Sequence, residues 1–480
     1  MMAYSRCSTP PDIGEKQPRC LLSDLSATPD TACSPFSDPT FPLQMSLPNM
    51  KDSYDCVVIG GGPAGCTAAS IVAESGASTL LIERDPVPRF HVGESLMPEC
   101  YWPLERLGLI DQVKRSGWQT KKSVQFVTHT GKESAPFFFR EHDERECSTT
   151  WQVERSEFDK MLFDRASELG ADCLDQTRLV DVHTEPGESP DQPVARAVVV
   201  RTADGTERTI RCQVVVDATG QQSFMAGKLG LREINPDLKK AAIWTYYRDA
   251  VRGEGDNDGA TIILYTKSRD SWFWFIPQSR GVTSVGCVGD NDFLLKGRGT
   301  PEQVFEEELA LCPGLQPRLA NATRVAKITT AKEFSYMTRR HAGPGWVLIG
   351  DALGFIDPVY SSGVYFALEM GVRAGDAIVD GLKKDDLSAE QLGNWTEDFK
   401  EGASRIRELV HAFYNKDFSI GRFMKEHPEY RGNVTDLLIG RVFHEDAGKM
   451  FPALDRSIEM ARANAMSKSD SMADTKPMST

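Results

Sequence analysis

Two stretches of this sequence set residues at spacings that chemistry can use. The first is Gly60-x-Gly62-x-x-Gly65, followed downstream by Glu83. Gly60 permits a tight turn, Gly62 lets a pyrophosphate approach the main chain, and Gly65 lets a helix pack closely on a strand. Gly61 and Ala64 complete the turn, the helix N-terminus faces phosphate charge, and Glu83 can accept ribose hydroxyls. The second stretch is "SRDSWFWFIPQSR", in which Trp272 and Trp274 alternate with Phe273 and Phe275. On a strand both indoles point to one side and both phenyl rings to the other, so the tryptophans can wall a cavity or simply fill a core.

Each set needs elements to hold it. Around the glycines the text predicts a buried strand (Cys56 to Ile59), a helix of small residues (Ala64 to Glu74) and a second strand (Ser78 to Glu83). That βαβ unit turns a common glycine turn into a dinucleotide site. Residues 190–340 run through "ARAVVVRT", "QVVVDATG", "ATIILYT" and "VTSVGCVG", strands broken by polar turns that read as mixed sheet. Apolar residues then recur at helical spacing in "VYFALEMGVRAGDAIVDGLKK", and 385–463 is helical in composition.

The expected plan is α/β: a Rossmann-like βαβ nucleotide-binding domain, an inserted mixed β-sheet substrate domain and a C-terminal helical region. The nucleotide-binding domain takes residues 51–230, with a substrate-side insertion about 115–150, and resumes over 336–384. The mixed sheet takes 231–335 and the helical region 385–463. Residues 1–50 and 464–480, rich in Pro, Ser, Thr and Asp, read as disordered tails.

Bulk composition narrows the function. The net charge of −14 argues against nucleic-acid binding, which needs clustered Lys and Arg. Eleven cysteines without CxxC pairs, and only eight histidines, point to a reduced cytoplasm and no metal site. No apolar run is long enough to span a membrane, and no second GxGxxG sits in a βαβ unit, so a resident nicotinamide domain is not encoded.

Four segments fall in one order: the glycine fingerprint, "VERSEFDKML" (153–162), "VVVDATG" (214–220) and "VLIGDALGFIDP" (347–358). Taken singly, Asp217 and Asp351 read as helix caps. In this order the set resembles the FAD-dependent monooxygenase and reductase superfamily. The resemblance implies FAD, with Arg155 contacting it and Asp351 supporting its ribityl–pyrophosphate region. Trp272-x-Trp274-x-Ile276-Pro277 further matches the WxWxIP signature of flavin-dependent halogenases, and Phe355, Pro358, Ser361 and Gly363 match their FxxPxxSxG signature. "ERDPVPRFHVGESLMP" (83–98) is similar to the corresponding region of halogenases that act on phenols and pyrroles. Glu94, within it, is expected beside FAD or as a structural carboxylate satisfied by backbone amides. The resemblance covers about residues 54–380.

Several roles follow from that resemblance. Trp272 and Trp274 keep organic molecules from the oxygen-charged flavin, so that halide reacts there instead. Chloride or bromide is held by the backbone N–H groups of Ser362 and Gly363, ahead of a helix starting near Val364; the same turn could be a plain N-cap. A lysine guides hypohalous acid to the substrate, and register against the family's GFxxK-like stretch selects Lys121 in "RSGWQTKKSVQF", with Lys122 beside it as the alternative. A buried lysine titrates low, and either protonation state has a use. Tyr360 stands where tryptophan halogenases carry Glu, which points to self-activating phenolic or pyrrolic rings.

The implied enzyme is a cytoplasmic oxidoreductase using FADH2, O2 and chloride or bromide. Its partners would be a separate NAD(P)H-dependent flavin reductase and a small aromatic or carrier-protein-tethered substrate. A monooxygenase or geranylgeranyl-reductase-like enzyme without halide chemistry is the alternative, and a flavin-binding scaffold the third reading.

Overall fold

The computed structural model describes residues 50–187 and 192–473. The tail expected over 1–50 therefore lies outside the described residues except for Met50, and 474–480 lie outside as well.

The first sheet is built on Ser53–Ile59, whose "CVVI" run is apolar without alternation, as a strand covered on both faces requires. Thr79–Ile82 and then Asp172–Leu174 pair with it in parallel on one side, and Glu207–Asp217 and then Trp346–Leu348 on the other. Antiparallel strands Ala342–Gly343, Val194–Arg201 and Arg178–Glu185 bring the sheet to eight. The first helix begins at Pro63, one residue before the expected start, because proline's fixed φ and missing N–H suit the first helical position.

That helix, Pro63–Glu74, packs on the long helix Gly363–Lys384 through glycine. A Cβ at Gly371 would lie 2.7 Å from the Ala64 carbonyl oxygen, and one at Gly375 3.0 Å from Ile71 Cβ. The halogenase-like turn therefore opens a helix that rests directly on the glycine-fingerprint helix.

The second sheet has nine strands and is antiparallel except where Thr261–Tyr265 meets Ser123–Val127. Its centre is Arg232–Arg248, Val282–Asp290, Ser271–Pro277 and Thr261–Tyr265 in lateral order. Two hydrophobic clusters lie on its opposite faces. Trp272, Trp274 and Ile276 join the large core shared with the first sheet and the C-terminal helices. Phe273 and Phe275 join a smaller one with Val304 and Phe305. The expected alternation is thus the division between two cores.

Helices follow through the last described residues, including Thr396–Tyr414 and Phe451–Ala473, the latter running through 464–473 of the expected tail. No helix among the described residues is long and apolar enough to cross a membrane.

Candidate active site

At the glycine turn two positions leave no room for a side chain. Gly60 has φ +113°, and a Cβ there would lie 2.2 Å from the Ala218 carbonyl oxygen; one at Gly65 would lie 2.0 Å from the Gly60 oxygen. Gly62 precedes the helix in extended conformation with no side-chain cap, so the first-turn amides stay free for an anion. Gly61 N–H donates to Glu83 (2.8 Å), which also accepts from the Asp85 amide (3.0 Å) and pairs with Arg89 (3.1 Å). The charges continue from Arg89 to Asp159 (2.8 Å) and on to Arg155 (2.8 Å). Burial pushes the Asp159 carboxyl up, but Arg155 and Arg89 outweigh it and hold the group below its ordinary value.

Arg155 is the first residue of the helix Arg155–Glu168, and both it and Val364 lie close to Gly93. A Cβ at Gly93 would lie 3.0 Å from the Arg155 guanidinium and 3.7 Å from Val364 Cγ2. The two aspartates divide roles. Asp217 is fully buried and accepts from the Thr219 amide and hydroxyl (3.0 and 2.7 Å) and the Met225 amide (2.7 Å), so it caps its own turn. Asp351 is half-buried, and no group among the described residues bonds its carboxylate. Burial pushes it up to about 6 against the pull of Arg155. Gly350 beside it has φ +61°, and a Cβ there would lie 3.0 Å from Ala64 Cβ.

These features fit FAD. Uncapped amides ahead of a helix, at a turn whose Gly60 and Gly65 reject a Cβ and whose Gly62 has room beside it, suit a pyrophosphate, and the open Asp351 carboxylate suits a polyol.

Residues paired across antiparallel strands share a face. Pairing sets Trp274 between Ile263 and Gly286, Trp272 between Tyr265 and Val288, and Ser284 and Gly286 beside Tyr246 and Trp244. Gly286 is required there, since a Cβ would lie 2.1 Å from the Trp274 ring. The Trp274 indole N–H donates to Ser284 (3.1 Å), and its ring centroid is 6.5 Å from that of Trp272 and 6.4 Å from that of Trp244. Trp272 N–H donates to the Tyr414 hydroxyl (3.0 Å). Glu94 is buried against this face, where it accepts from the Tyr246 hydroxyl (2.6 Å), and burial raises its pKa. Its partner is a side chain, not the backbone amides that a structural carboxylate was expected to recruit.

In the "FIDPVYSSG" turn Asp357 accepts from the Val359 amide (3.1 Å), and Ser361 takes φ +60°, left-handed backbone in a non-glycine residue. Ser362 is buried and begins the helix, yet its hydroxyl makes no capping bond. Gly363 is exposed, and a Cβ on it would meet nothing within 4 Å. The N-cap reading fails for Ser362, and the amides that a side chain would have capped are left for something else. Tyr360 packs edge-on to Phe413 (6.1 Å) and donates to the Leu409 carbonyl (3.4 Å), so both its ring and its hydroxyl are engaged.

The two neighbouring lysines separate completely. Lys122 is half-buried and pairs with Asp256 at the surface (2.6 Å). Lys121 is 1% exposed, on a short strand Gln119–Lys121 that pairs with Thr150–Gln152. Its Nζ donates to the Ser95 hydroxyl (2.9 Å) and the Leu96 carbonyl (3.0 Å) and lies 5.7 Å from the Phe139 ring centre. Burial pushes its pKa down to about 7. Ser95 in turn lies 2.7 Å from the Thr261 hydroxyl, to which Gln152 donates (2.9 Å). Thr261 is on the same face of its strand as Ile263, the neighbour of Trp274. Lysine and indoles are therefore joined through one sheet face.

Ser95, Thr261, Gln152, Tyr246, Gly286 and Tyr414 were not anticipated. Alternation along "TIILY" and the Ser next to Glu94 were the available signals; Tyr414, far along the chain, gave none. Among the described residues, Glu99, Asp143 and Cys147 also cluster, but Arg145 bonds both carboxylates (3.0 and 2.5 Å).

Comparison with known proteins bears directly on this site. The FAD binding domain family matches residues 53–380. The chain is 33% identical over 411 residues to the 1H-pyrrole-2-carbonyl-(peptidyl-carrier protein) brominase of Pseudoalteromonas luteoviolacea, covering 85% of this chain and 97% of the relative. It is 29% identical over 433 residues to the corresponding chlorinase of Pseudomonas fluorescens, covering 85% and 93%. The structure of the flavin-dependent brominase Bmp2 aligns with a TM-score of 0.74 at 30% identity, covering 88% of this chain and all of that one.

Proposed function

Since the chain belongs to the flavin-dependent halogenase family, an FAD-binding family of oxidoreductases, we propose that it installs chloride or bromide on an electron-rich pyrrolic or phenolic ring through hypohalous acid guided by Lys121. Reduced FAD, when bound, supplies with O2 the oxidising equivalents that convert halide to hypohalous acid. Gly60, Gly61, Gly62, Ala64, Gly65, Glu83, Arg155 and Asp351 would hold it. A separate NAD(P)H-dependent reductase delivers it reduced, a reading supported by the single glycine fingerprint.

The chain's own groups then divide the work. Main-chain N–H groups of Ser362 and Gly363, without a side-chain cap and next to Val364 at the positive end of a long helix, bind the halide. Trp272 and Trp274 exclude ring-sized molecules from the cofactor side. Lys121 receives the hypohalous acid.

The observation that carries this reading is the burial of Lys121 with a hydroxyl and a carbonyl as its partners. As an ammonium it has three N–H groups, two already engaged, and the third can bond the hypohalous oxygen. As a neutral amine it has both N–H groups engaged and a lone pair for the halogen. With a pKa near 7 both forms are populated around neutrality. Tyr360 supplies no carboxylate base, which suits rings that activate themselves.

Two relatives matched over nearly their whole length are named for pyrrole carried on a peptidyl-carrier protein. A carrier-tethered pyrrole is accordingly the first substrate to try, with free phenols and pyrroles alongside. The test is mass spectrometry of these substrates after incubation with protein, FAD, a flavin reductase, NADH, O2 and each halide. A halogen isotope pattern on product supports the reading. Hydroxylated product, or reduced flavin oxidised with no halide dependence, rejects it.

A further inference from the structure

The indole wall and the halide turn are fastened to each other by a residue of the C-terminal helices. We infer that Tyr414 is a positioning residue which, by bonding Trp272 and Asp357 together, fixes the wall relative to the turn; the inference rests on the function proposed above.

The bond directions follow from the groups. An indole N–H can only donate, so Trp272 gives its hydrogen to the Tyr414 oxygen (3.0 Å). The tyrosine hydroxyl is then free to donate onward, and Asp357 Oδ2 accepts it at 2.8 Å. The other carboxylate oxygen of Asp357 accepts from the Val359 amide (3.1 Å), inside the turn. Asp357 is 2% exposed, so these bonds are what make its burial tolerable. One unbroken series thus runs from the indole to the main chain that leads into Ser362 and Gly363.

The ring is held as well as its hydroxyl. Lys240 Nζ stands 3.8 Å from the Tyr414 ring centre while pairing with Asp290 (2.7 Å). Phe413, the preceding residue, stacks on Tyr265 (5.0 Å) and meets Trp272 edge-on (5.7 Å). Two consecutive aromatics therefore clamp the end of Thr396–Tyr414 onto the wall. Moving either part alone would break a partly buried hydrogen bond.

The full-length FAD-loaded protein tests this with Tyr414→Phe, which keeps the ring over Lys240 and removes only the hydroxyl. Bromide affinity is read from the flavin absorbance change on titration with sodium bromide at constant ionic strength. Coupling is read as halogenated product per O2 consumed. Losing one partly buried bond from the turn should weaken bromide binding about tenfold and lower coupling, with FAD affinity unchanged. Trp272→Phe, which breaks only the indole link, should lower coupling and leave bromide affinity closer to wild type.

If Tyr414→Phe does not accumulate folded, Asp357→Asn carries the same readouts. Unchanged bromide affinity and coupling in a folded Tyr414→Phe protein would overturn the inference. So would equal losses of FAD affinity and bromide affinity, which mark a role in stability alone. The wild-type arm separates the two readings: no halogenated product from it removes the proposed function, while the bromide titration still decides whether Tyr414 sets the turn. No bromide-dependent change in the wild type overturns both.

Discussion

The Nζ of Lys121 lies 2.9 Å from the hydroxyl of Ser95, inside the protein, where a buried ammonium would ordinarily be answered by a carboxylate. Ser95 leads to Thr261 (2.7 Å), and Gln152 donates to Thr261 (2.9 Å). Lys121 donates to Ser95 and Gln152 donates to Thr261, while the two hydroxyls share one hydrogen between them, so a neutral amine has both engaged N–H groups satisfied and keeps its lone pair open. This arrangement accommodates the uncharged amine without an acid nearby.

The lysine should therefore make stability depend on pH in a stated direction. Its folded pKa, about 7, is below the ordinary 10.5, so the unfolded chain holds the extra proton between those values. Burying the charge costs most below pH 7, and the cost disappears as pH rises toward 10.5. Relative to Lys121→Met, wild type should gain roughly 1.4 kcal/mol per pH unit through that window. Urea unfolding of both proteins from about pH 6 to pH 9.5 measures it, and a difference independent of pH would mean that the amine titrates normally.

Gly286→Ala should dislodge the indole wall without touching the chemistry. The new methyl would lie 2.1 Å from the Trp274 ring, which must move. The expected result is a larger share of hydrogen peroxide per O2 consumed and a loss of stability of about 1–3 kcal/mol. Wild-type partition in a folded variant would return Trp274 to a packing role.

Gly65→Ala should abolish FAD retention, because its methyl would sit 2.0 Å from the Gly60 carbonyl oxygen at the point where helix and strand touch. The ratio of flavin to protein absorbance after purification is the measurement. A variant that stays fully yellow would contradict the assignment of this turn to the cofactor.

How far the sequence reached depended on whether a feature was local. The βαβ unit was legible because Gly60, Gly62 and Gly65 act within one turn, and Trp272 and Trp274 because strand period alone decides their face. Register picked Lys121 over Lys122, and periodicity in so short a strand could not foresee that Lys121 would be the fully buried one. Asp217 and Asp351 look alike in sequence, and only folding brings Met225 and Thr219 onto one and leaves the other open. Tyr414 was illegible because its partners, Trp272 and Asp357, are supplied by two distant segments. Glu94 was expected to meet FAD or backbone amides; the strand carrying Tyr246 gives it a hydroxyl.

If the buried Lys121 directs the halogen, its removal must cost product while its neighbour Lys122 does not matter. Wild type, Lys121→Ala and Lys122→Ala, each loaded with FAD, are given the same reductase, O2, bromide and substrate, and brominated product is counted by mass spectrometry beside hydrogen peroxide. Lys121→Ala should lose at least about 100-fold of its product while still consuming oxygen, and Lys122→Ala, at the surface with Asp256, should match wild type. Wild-type product from Lys121→Ala with its flavin in place would contradict a role for Lys121 in directing the halogen.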